Sequence, residues 1–148
     1  MNESSLLGEV LVVVLGLFLS VVCVLMHYEG LRYLTRWLPR LDTRPRQRIL
    51  ALILSLLALH QAEAWIFAWG FFIADRTAIM GGLAGADGHL LTYAYFSITT
   101  YTTLGFGDII PQGPMRFIAS VEALTGFVLI TWSASFTYLE MQRFWKDK

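Results

Sequence analysis

Residues 99–108 read Thr-Thr-Tyr-Thr-Thr-Leu-Gly-Phe-Gly-Asp and lie between two long apolar segments. Even fully extended, a five-residue piece of this stretch reaches only about 17 Å, whereas the hydrocarbon core of a bilayer is roughly 30 Å thick. Non-helical backbone at membrane depth persists only where protein covers it or where it lines a wet cavity. We therefore predict a re-entrant loop enclosed by helices, in which Gly105 and Gly107 accept positive φ angles and turn successive carbonyls toward one side.

Residues 103–108, Thr-Leu-Gly-Phe-Gly-Asp, resemble the selectivity filter of the potassium channel family, whose common form is Thr-Val-Gly-Tyr-Gly-Asp. The resemblance spans roughly residues 90–138, because the motif follows a short Thr-rich candidate helix and precedes a full apolar span. Two positions depart from the common form. Leu104 replaces Val, and Phe106 replaces a Tyr whose hydroxyl could brace the filter from behind, which concerns filter rigidity more than ion choice.

The resemblance implies that ions are bound by the backbone of residues 103–107, where peptide oxygens replace the hydration shell of K⁺. The implied ion-binding residues are Thr103, with its hydroxyl, Leu104, Gly105, Phe106 and Gly107. One chain supplies one strand, so a ring needs several copies around an axis, and the family implies four. The predicted fold is an all-α membrane protein with three transmembrane helices, a re-entrant pore helix and a filter loop, assembled as a homotetrameric pore. K⁺ ions in the pore are the implied ligands, and no organic cofactor and no other metal are expected.

The composition is that of a membrane protein. The 148 residues are 56% hydrophobic and 15% charged, whereas a soluble domain carries about 25% charge. The single cysteine, Cys23, lies in an apolar run, so no intrachain disulfide is expected. The chain start lacks a basic region, which argues against a cleaved signal peptide. No basic patch interleaved with aromatics indicates nucleic acid binding.

Three segments are long and apolar enough to cross a bilayer, namely residues 10–27, 49–74 and 115–139. They divide the chain into an N-terminal outer segment with the first span (1–28), a basic cytoplasmic connector (29–48) and a pore domain (49–148). Within the pore domain, residues 75–89 form an outer loop. Residues 90–102 would be about 20 Å long as a helix, which is a half-span suited to a pore helix. The C-terminal end of such a helix directs partial negative charge at the pore axis and favours a cation.

The basic residues are unevenly distributed along the chain, and their distribution predicts the orientation of the chain in the membrane. Six of the eleven lie in the connector and three in the tail (Arg143, Lys146 and Lys148), whereas only Arg76 and Arg116 fall on the other side. The positive-inside rule therefore places the N-terminus and the filter mouth outside and the C-terminus in the cytoplasm, in a plasma or inner membrane.

The Arg-rich connector is predicted to be a cytoplasmic anchor. Pro39 and Pro45 interrupt it, and leucines interleave with Arg32 and Arg36 in the pattern of a short interfacial helix. Arginines at four-residue spacing also occur in voltage sensors, but this segment is polar, broken by prolines and outside the hydrocarbon. Membrane lipids are the expected neighbours, with anionic lipid at the arginines.

Placing an ionisable side chain at membrane depth costs free energy, so such side chains face the inside of the helix bundle or pair with one another. His60 and Glu63 lie one helical turn apart and share a face, and Glu122 lies in the third span. The first interpretation is structural, with Glu63 and Glu122 bonded to the pore helix or to its Ser97 and Thr99 hydroxyls. A second is pH sensing by His60. A metal site is disfavoured because two ligands from one turn are too few.

The filter mouth and its surroundings carry three further candidates. Asp108 follows the filter, where a ring of acids would raise the local cation concentration or a carboxylate would brace the filter. Tyr95 and Phe96 stand where the family often carries tryptophans, and we predict either an aromatic cuff around the filter or plain core packing.

The third span offers a candidate hinge and a candidate cavity lining. Gly126 would let the helix bend, although glycine in membrane helices is also a packing residue. Ile130, Ala134 and Tyr138 follow at four-residue spacing and are the first candidates to line the cavity below the filter. Polar residues of the same stretch are the alternative: Thr131, Ser133, Ser135 and Thr137.

The sequence thus predicts passive conduction of K⁺ without catalysis. A weakly selective monovalent cation channel and a non-conducting regulatory subunit are the alternatives on the same scaffold. An intramembrane enzyme using His60 and Glu63 is disfavoured, because it lacks a nucleophile or third ligand and leaves the glycine alternation unexplained.

Overall fold

A computed structural model describes residues 3–40, 44–77 and 79–146 of the chain, so that Lys148 lies outside the described residues. Within them, three helices have the length and apolar composition needed to cross a membrane. The elements in chain order are α1 (Glu3–Trp37), a 3-10 helix (Leu38–Arg40), α2 (Pro45–Ala74), β1 (Gly82–Ala84), α3 (Leu90–Tyr101), β2 (Ile110–Gln112) and α4 (Met115–Lys146). The predicted class, an all-α membrane protein, is confirmed.

Helix α1 continues well beyond the predicted end of the first span. It comprises 35 residues, about 52 Å at the rise of an α-helix, so the first part of the predicted connector belongs to it. Leu31 and Leu34 are buried at 5% exposure each, and they pack with Leu52 and Leu56 of α2. The separate interfacial helix predicted for the connector is therefore the packed end of α1, and it stops where Pro39 disfavours helix in the preceding residue.

Helices α2 and α4 also exceed their predicted spans. Helix α2 begins at Pro45 rather than at residue 49, because proline suits the first helical position. It ends at Ala74, as predicted. Helix α4 begins at Met115 and runs without a break to Lys146, past the predicted end at residue 139.

A two-stranded antiparallel sheet, which the sequence did not predict, links the predicted outer loop, which holds β1, to the segment after the motif, which holds β2. Strands β1 and β2 pair Leu83 with Pro111, and thereby join the segments on either side of α3 and the filter motif. Asp75 accepts a hydrogen bond of 2.9 Å from the Leu83 N–H and another from the Tyr93 hydroxyl. A Cβ on Gly85 would lie 2.7 Å from the Asp108 carbonyl oxygen, so the loop packs directly on the motif.

The core lies among the four helices. Helix α1 packs against α2 and α4, and the short α3 lies between α2 and α4. Phe71 of α2 meets Phe96 of α3 edge to face at 5.0 Å between ring centroids, beside the buried Ile118 of α4. Large apolar side chains cover the outside of α1, and Val14 and Phe18 are 60% and 61% exposed. Such a surface suits lipid or neighbouring helices rather than water.

Candidate functional site

The motif begins with a backbone reversal at the end of α3. The N–H groups of Leu104 and Gly105 both donate to the Thr99 carbonyl, at 2.9 and 3.1 Å, and the Thr103 N–H donates to Thr100 at 2.9 Å. These bonds satisfy carbonyls that a helix leaves unpaired at its C-terminus. They also turn the N–H side of the first motif residues toward α3.

Positive φ angles recur at every second residue of the motif. Gly105 and Gly107 have φ of 53° and 81°, and Thr103 has φ of 59°. Among the described residues, Thr103 is the only non-glycine residue with positive φ. A β-branched residue rarely adopts this region, and such strain costs about 1–3 kcal/mol and concentrates at functional sites. The sequence signalled the two glycines but gave no signal for Thr103.

A single chain leaves the motif uncovered. Residues 102–108 are all exposed, with Leu104 at 59% and Phe106 at 65%. A Cβ on Gly105 or Gly107 would meet nothing within 4 Å. Irregular backbone flanked by membrane-spanning helices needs protein or a wet cavity around it.

The two candidate cuff residues face in different directions. The Tyr95 ring stacks on Phe106 with 6.2 Å between centroids and 1° between planes. Its hydroxyl donates to Asp108 Oδ2 at 2.9 Å, and this hydrogen bond raises the pKa of Tyr95. Tyr95 therefore supplies a brace within the chain, whereas Phe96 points into the core against Phe71.

Gly126 lies against the end of α3. It is buried, and a Cβ there would be 2.0 Å from the Tyr101 carbonyl oxygen. Helix α4 is continuous through this position. Close packing, the second of the two predicted roles, therefore accounts for the glycine.

The candidate lining of the cavity forms an exposed face of α4. Ile130, Ala134 and Tyr138 are all exposed, as are the alternatives Thr131 and Ser135, whereas Thr137 is half-buried. Ser133 is buried and points into the bundle. The alternative that included Ser133 as a lining residue is therefore wrong for that side chain.

A buried polar cluster lies below the motif and centres on Glu63 of α2. Glu63 and His27 of α1 are both fully buried, and His27 Nδ1 lies 2.8 Å from Glu63 Oε1. His60 Nδ1 lies 3.0 Å from Glu63 Oε2. The Tyr101 hydroxyl, from α3, donates to the same oxygen. Ser133 of α4 completes the cluster, with its Oγ 3.0 Å from His60 Nε2 and 3.4 Å from His27 Nε2.

Sequence reasoning paired His60 with Glu63 but missed His27, Tyr101 and Ser133 as their partners. The available signal was His27 itself, a lone histidine closing an apolar run in the first span. Its distance along the chain from His60 concealed the contact.

A second buried contact joins Glu122 of α4 to the pore-helix candidate α3. The Ser97 hydroxyl contacts Glu122 Oε1 and also the Ala64 carbonyl at 2.6 Å. Glu122 is fully buried, and its Oε2 has no hydrogen-bond partner among the described residues. Thr99, the other hydroxyl proposed as a partner, donates instead to the Phe96 carbonyl at 2.9 Å.

Comparison with known proteins gives one family. A family model described as "Ion channel" matches residues 56–142, which is more than half of the chain. No curated protein and no solved structure matches the chain. The matched region contains most of α2, all of α3, the motif and most of α4, and it leaves α1 outside.

Proposed function

The chain belongs to the ion channel family, and from this premise we propose that it conducts K⁺ selectively through a pore made by four copies. Each copy contributes one filter strand, residues 103–107, and the carbonyl oxygens of the four strands replace water around the ion. Ions move down their gradient, so the protein performs transport without catalysis. Asp108 forms the outer mouth of this pore, and α4 lines the cavity below it with Ile130, Ala134 and Tyr138.

The alternation of φ along the filter strand is the observation that carries the proposal. Left-handed residues at positions 103, 105 and 107 reorient the peptide planes between them. The N–H groups of Leu104 and Gly105 are held by the Thr99 carbonyl on the α3 side, so the oxygens of this strand are free to face away from α3. A row of unpaired carbonyls on one side is what a dehydrated cation requires.

The uncovered state of the motif supports assembly. Residues 102–108 are exposed in one chain, yet they lie between two membrane-spanning helices. Further copies around a closed axis would bury these residues and complete the ring. Four is the number that a ring of this motif implies in the family that it resembles.

The proposed orientation follows the basic residues. The connector and the tail carry most of the Lys and Arg and would face the cytoplasm, in a plasma or inner membrane. Arg32 and its neighbours at the end of α1 would then meet anionic lipid headgroups.

Weak selectivity among monovalent cations is the second candidate, and Phe106 is the observation that favours it. Phe106 has no hydroxyl with which to brace the filter. Its ring is held by stacking on Tyr95, at 6.2 Å. The Tyr95 bond to Asp108 supplies a brace of a different kind, which favours a selective filter.

Flux from liposomes containing only this purified chain tests the proposal. Potassium, sodium and caesium are compared, and reversal potentials in mixed potassium and sodium measure selectivity. We expect rapid potassium flux and slow sodium flux. A reversal potential that does not distinguish potassium from sodium would favour the weakly selective channel. Absence of all flux from correctly assembled protein would favour a regulatory subunit.

Two glycine variants provide a matched comparison. Gly107 and Gly88 share φ of 81°, and a Cβ at either would meet nothing within 4 Å. Alanine at either position therefore carries a similar backbone penalty of about 1–2 kcal/mol, but only Gly107 lies in the filter strand. We expect Gly107→Ala to abolish selective potassium flux and Gly88→Ala to retain it. Equal flux in the two variants would remove the filter strand from the conduction pathway.

A further inference from the structure

We propose that His27, His60, Glu63 and Tyr101 form a buried binding site for a divalent transition-metal ion such as Zn²⁺. The site would join α1, α2 and α3 directly below the filter strand. Metal binding itself does not depend on the proposed conduction of K⁺.

The ligand atoms already lie together. One nitrogen from each of His27 and His60 and one oxygen of Glu63 all lie within 4.8 Å of one another. The Tyr101 oxygen is 2.9 Å from His60 Nδ1 and contacts Glu63 Oε2. His27, His60 and Glu63 make the two-histidine, one-glutamate set that Zn²⁺ uses with an open fourth position, and the Tyr101 oxygen is the candidate for that position.

The hydrogen-bond contacts of the cluster connect the two imidazoles through one serine hydroxyl. A neutral imidazole carries one N–H. If His27 and His60 both donate from Nδ1 to an ionised Glu63, both Nε2 atoms must accept. Ser133 is the contact of both Nε2 atoms, at 3.4 and 3.0 Å, and its hydroxyl has one hydrogen. That arrangement needs one more proton or a metal ion, whereas two neutral rings suffice if His60 donates from Nε2 to Ser133 and accepts at Nδ1 from Tyr101.

A metal ion would also satisfy these contacts, once the ligand atoms move from hydrogen-bond distance to the separation of about 3.3 Å that tetrahedral bonds of about 2.0 Å set. With both Nδ1 atoms bound to metal, both Nε2 atoms carry hydrogen and donate to the two lone pairs of the Ser133 oxygen. Orientation of ligating imidazoles by a second hydrogen bond is the usual outer-shell arrangement at metal sites. The metal-bound form would therefore use one serine oxygen as the acceptor for both histidines.

The chemistry of the donors narrows the class of ion. Imidazole nitrogen suits zinc, copper, iron and nickel ions, whereas Ca²⁺ requires six or more oxygen ligands. A carboxylate and a phenolate together would neutralise a divalent charge in this buried setting, where an uncompensated charge is costly.

An entry route exists on one side. Glu63 and His27 are closed off, but the His60 side chain is 18% exposed. His60 borders a cavity of about 180 Å³ whose other walls include Gln61, Ala64, Tyr101, Thr102 and Ile130. An ion could therefore reach the nitrogen of His60 first.

The site would assign a structural role to α1, for which the family match gives none. Helix α1 lies outside residues 56–142, and its His27 contributes a ligand to a centre built on α2 and α3. The same Tyr101 that offers an oxygen to the metal packs its backbone against Gly126. Metal occupancy would thus fix the end of the pore helix.

Metal content and Co²⁺ absorption test the proposal directly. The full chain is purified without a histidine tag, stripped with a chelator and reconstituted in nanodiscs. Zn²⁺ or Co²⁺ alone is then added and the excess removed. We expect about one equivalent per chain, with the visible absorption of a four-coordinate Co²⁺ site. A stripped wild-type protein that assembles but retains neither ion overturns the proposal.

The three histidines of the chain supply the control. His27→Asn and Glu63→Gln should lose the bound ion, whereas His89→Asn, which changes the exposed histidine of the outer loop, should keep it. Ser133→Ala should weaken affinity by about 10–100-fold while leaving all four ligands. Where a ligand variant fails to assemble, the wild-type Co²⁺ spectrum and the Ser133 variant decide. Equal metal content in the His27 and His89 variants contradicts the site.

Discussion

The carbonyl oxygen of Tyr101 and the α-carbon of Gly126 are in direct contact, because a Cβ on Gly126 would lie 2.0 Å from that oxygen. The carbonyl carbon of Tyr101 would be 2.8 Å from the same Cβ. Tyr101 is the last residue of α3, so α4 holds α3 at the point where the motif of residues 103–108 begins.

Gly126→Ala should therefore destabilise the protein, because backbone atoms rather than a flexible side-chain end occupy the space. Overpacking of this kind costs about 1–3 kcal/mol, and we expect a lower midpoint of thermal unfolding. Gly16→Ala in α1 is the matched control, since its nearest neighbour would be 3.7 Å away. There the helix gains about 0.5–1 kcal/mol from replacing glycine. Equal midpoints for the two variants would mean that Gly126 is not a close-packing site.

The pair of Ser97 and Glu122 predicts an asymmetry between two single variants. Ser97→Ala leaves both oxygens of the buried Glu122 without a partner, which should cost about 1–3 kcal/mol. Glu122→Met removes the buried acid, while Ser97 still donates to the Ala64 carbonyl at 2.6 Å. We expect this variant to match or exceed the wild-type thermal midpoint.

A double-variant cycle checks that asymmetry. In the combination of Ser97→Ala with Glu122→Met, no carboxyl group is left without a partner, so the loss seen in Ser97→Ala should largely disappear. Thermal unfolding of all four proteins in one detergent provides the measurement. Additive losses in the double variant would show that the two side chains do not act on each other.

The hydrogen bond between Tyr95 and Asp108 allows two possible functions of Asp108, concentrating cations and bracing the motif, to be tested separately. Asp108→Asn should lower single-channel conductance at low ionic strength, because the ring of charge that concentrates cations is lost. The difference should shrink in high salt, where screening is strong. Tyr95→Phe keeps the charge but removes the 2.9 Å hydrogen bond, so conductance should persist while the open filter becomes less stable. A conductance loss of equal size in Tyr95→Phe would assign the role of Asp108 to bracing alone.

The start of α3 carries an acid whose titration should affect stability. The Thr92 hydroxyl and the His89 N–H both donate to Asp87, and these bonds lower the pKa of Asp87. Because the folded pKa lies below the ordinary value of about 3.9, the stabilisation is complete above that value and is lost as the pH falls through the folded pKa. The stability difference between wild type and Asp87→Asn should therefore stay constant from pH 6 down to about 4 and shrink below that value. A difference that stays constant down to the acid limit would rule out this contribution.

The elements that could be predicted from the sequence are those that local chemistry determines. Residues 99–108 predicted a re-entrant segment, and α3 ends at Tyr101, one residue before the predicted end of the pore helix. The apolar runs predicted all three spans, because hydropathy over about 20 residues reports burial in lipid directly. The glycines at 105 and 107 predicted the positive φ angles that they adopt.

What could not be predicted depends on contacts between distant residues. Helix α1 continues beyond its apolar run because Leu31 and Leu34 pack against α2. The distribution of charges along the chain does not reveal this contact. His27 meets Glu63 across 36 positions of sequence. Thr103 adopts positive φ against its own propensity, since its own N–H is bonded to Thr100 and the N–H groups of Leu104 and Gly105 are bonded to Thr99.

A density map of the assembled protein in potassium-containing nanodiscs tests the central claim most directly. The account predicts four copies around one axis, with the carbonyl oxygens of residues 103–106 facing that axis and ion density between them. A monomeric particle would contradict it. So would an assembly in which residues 103–107 lie at the periphery or turn their oxygens toward lipid.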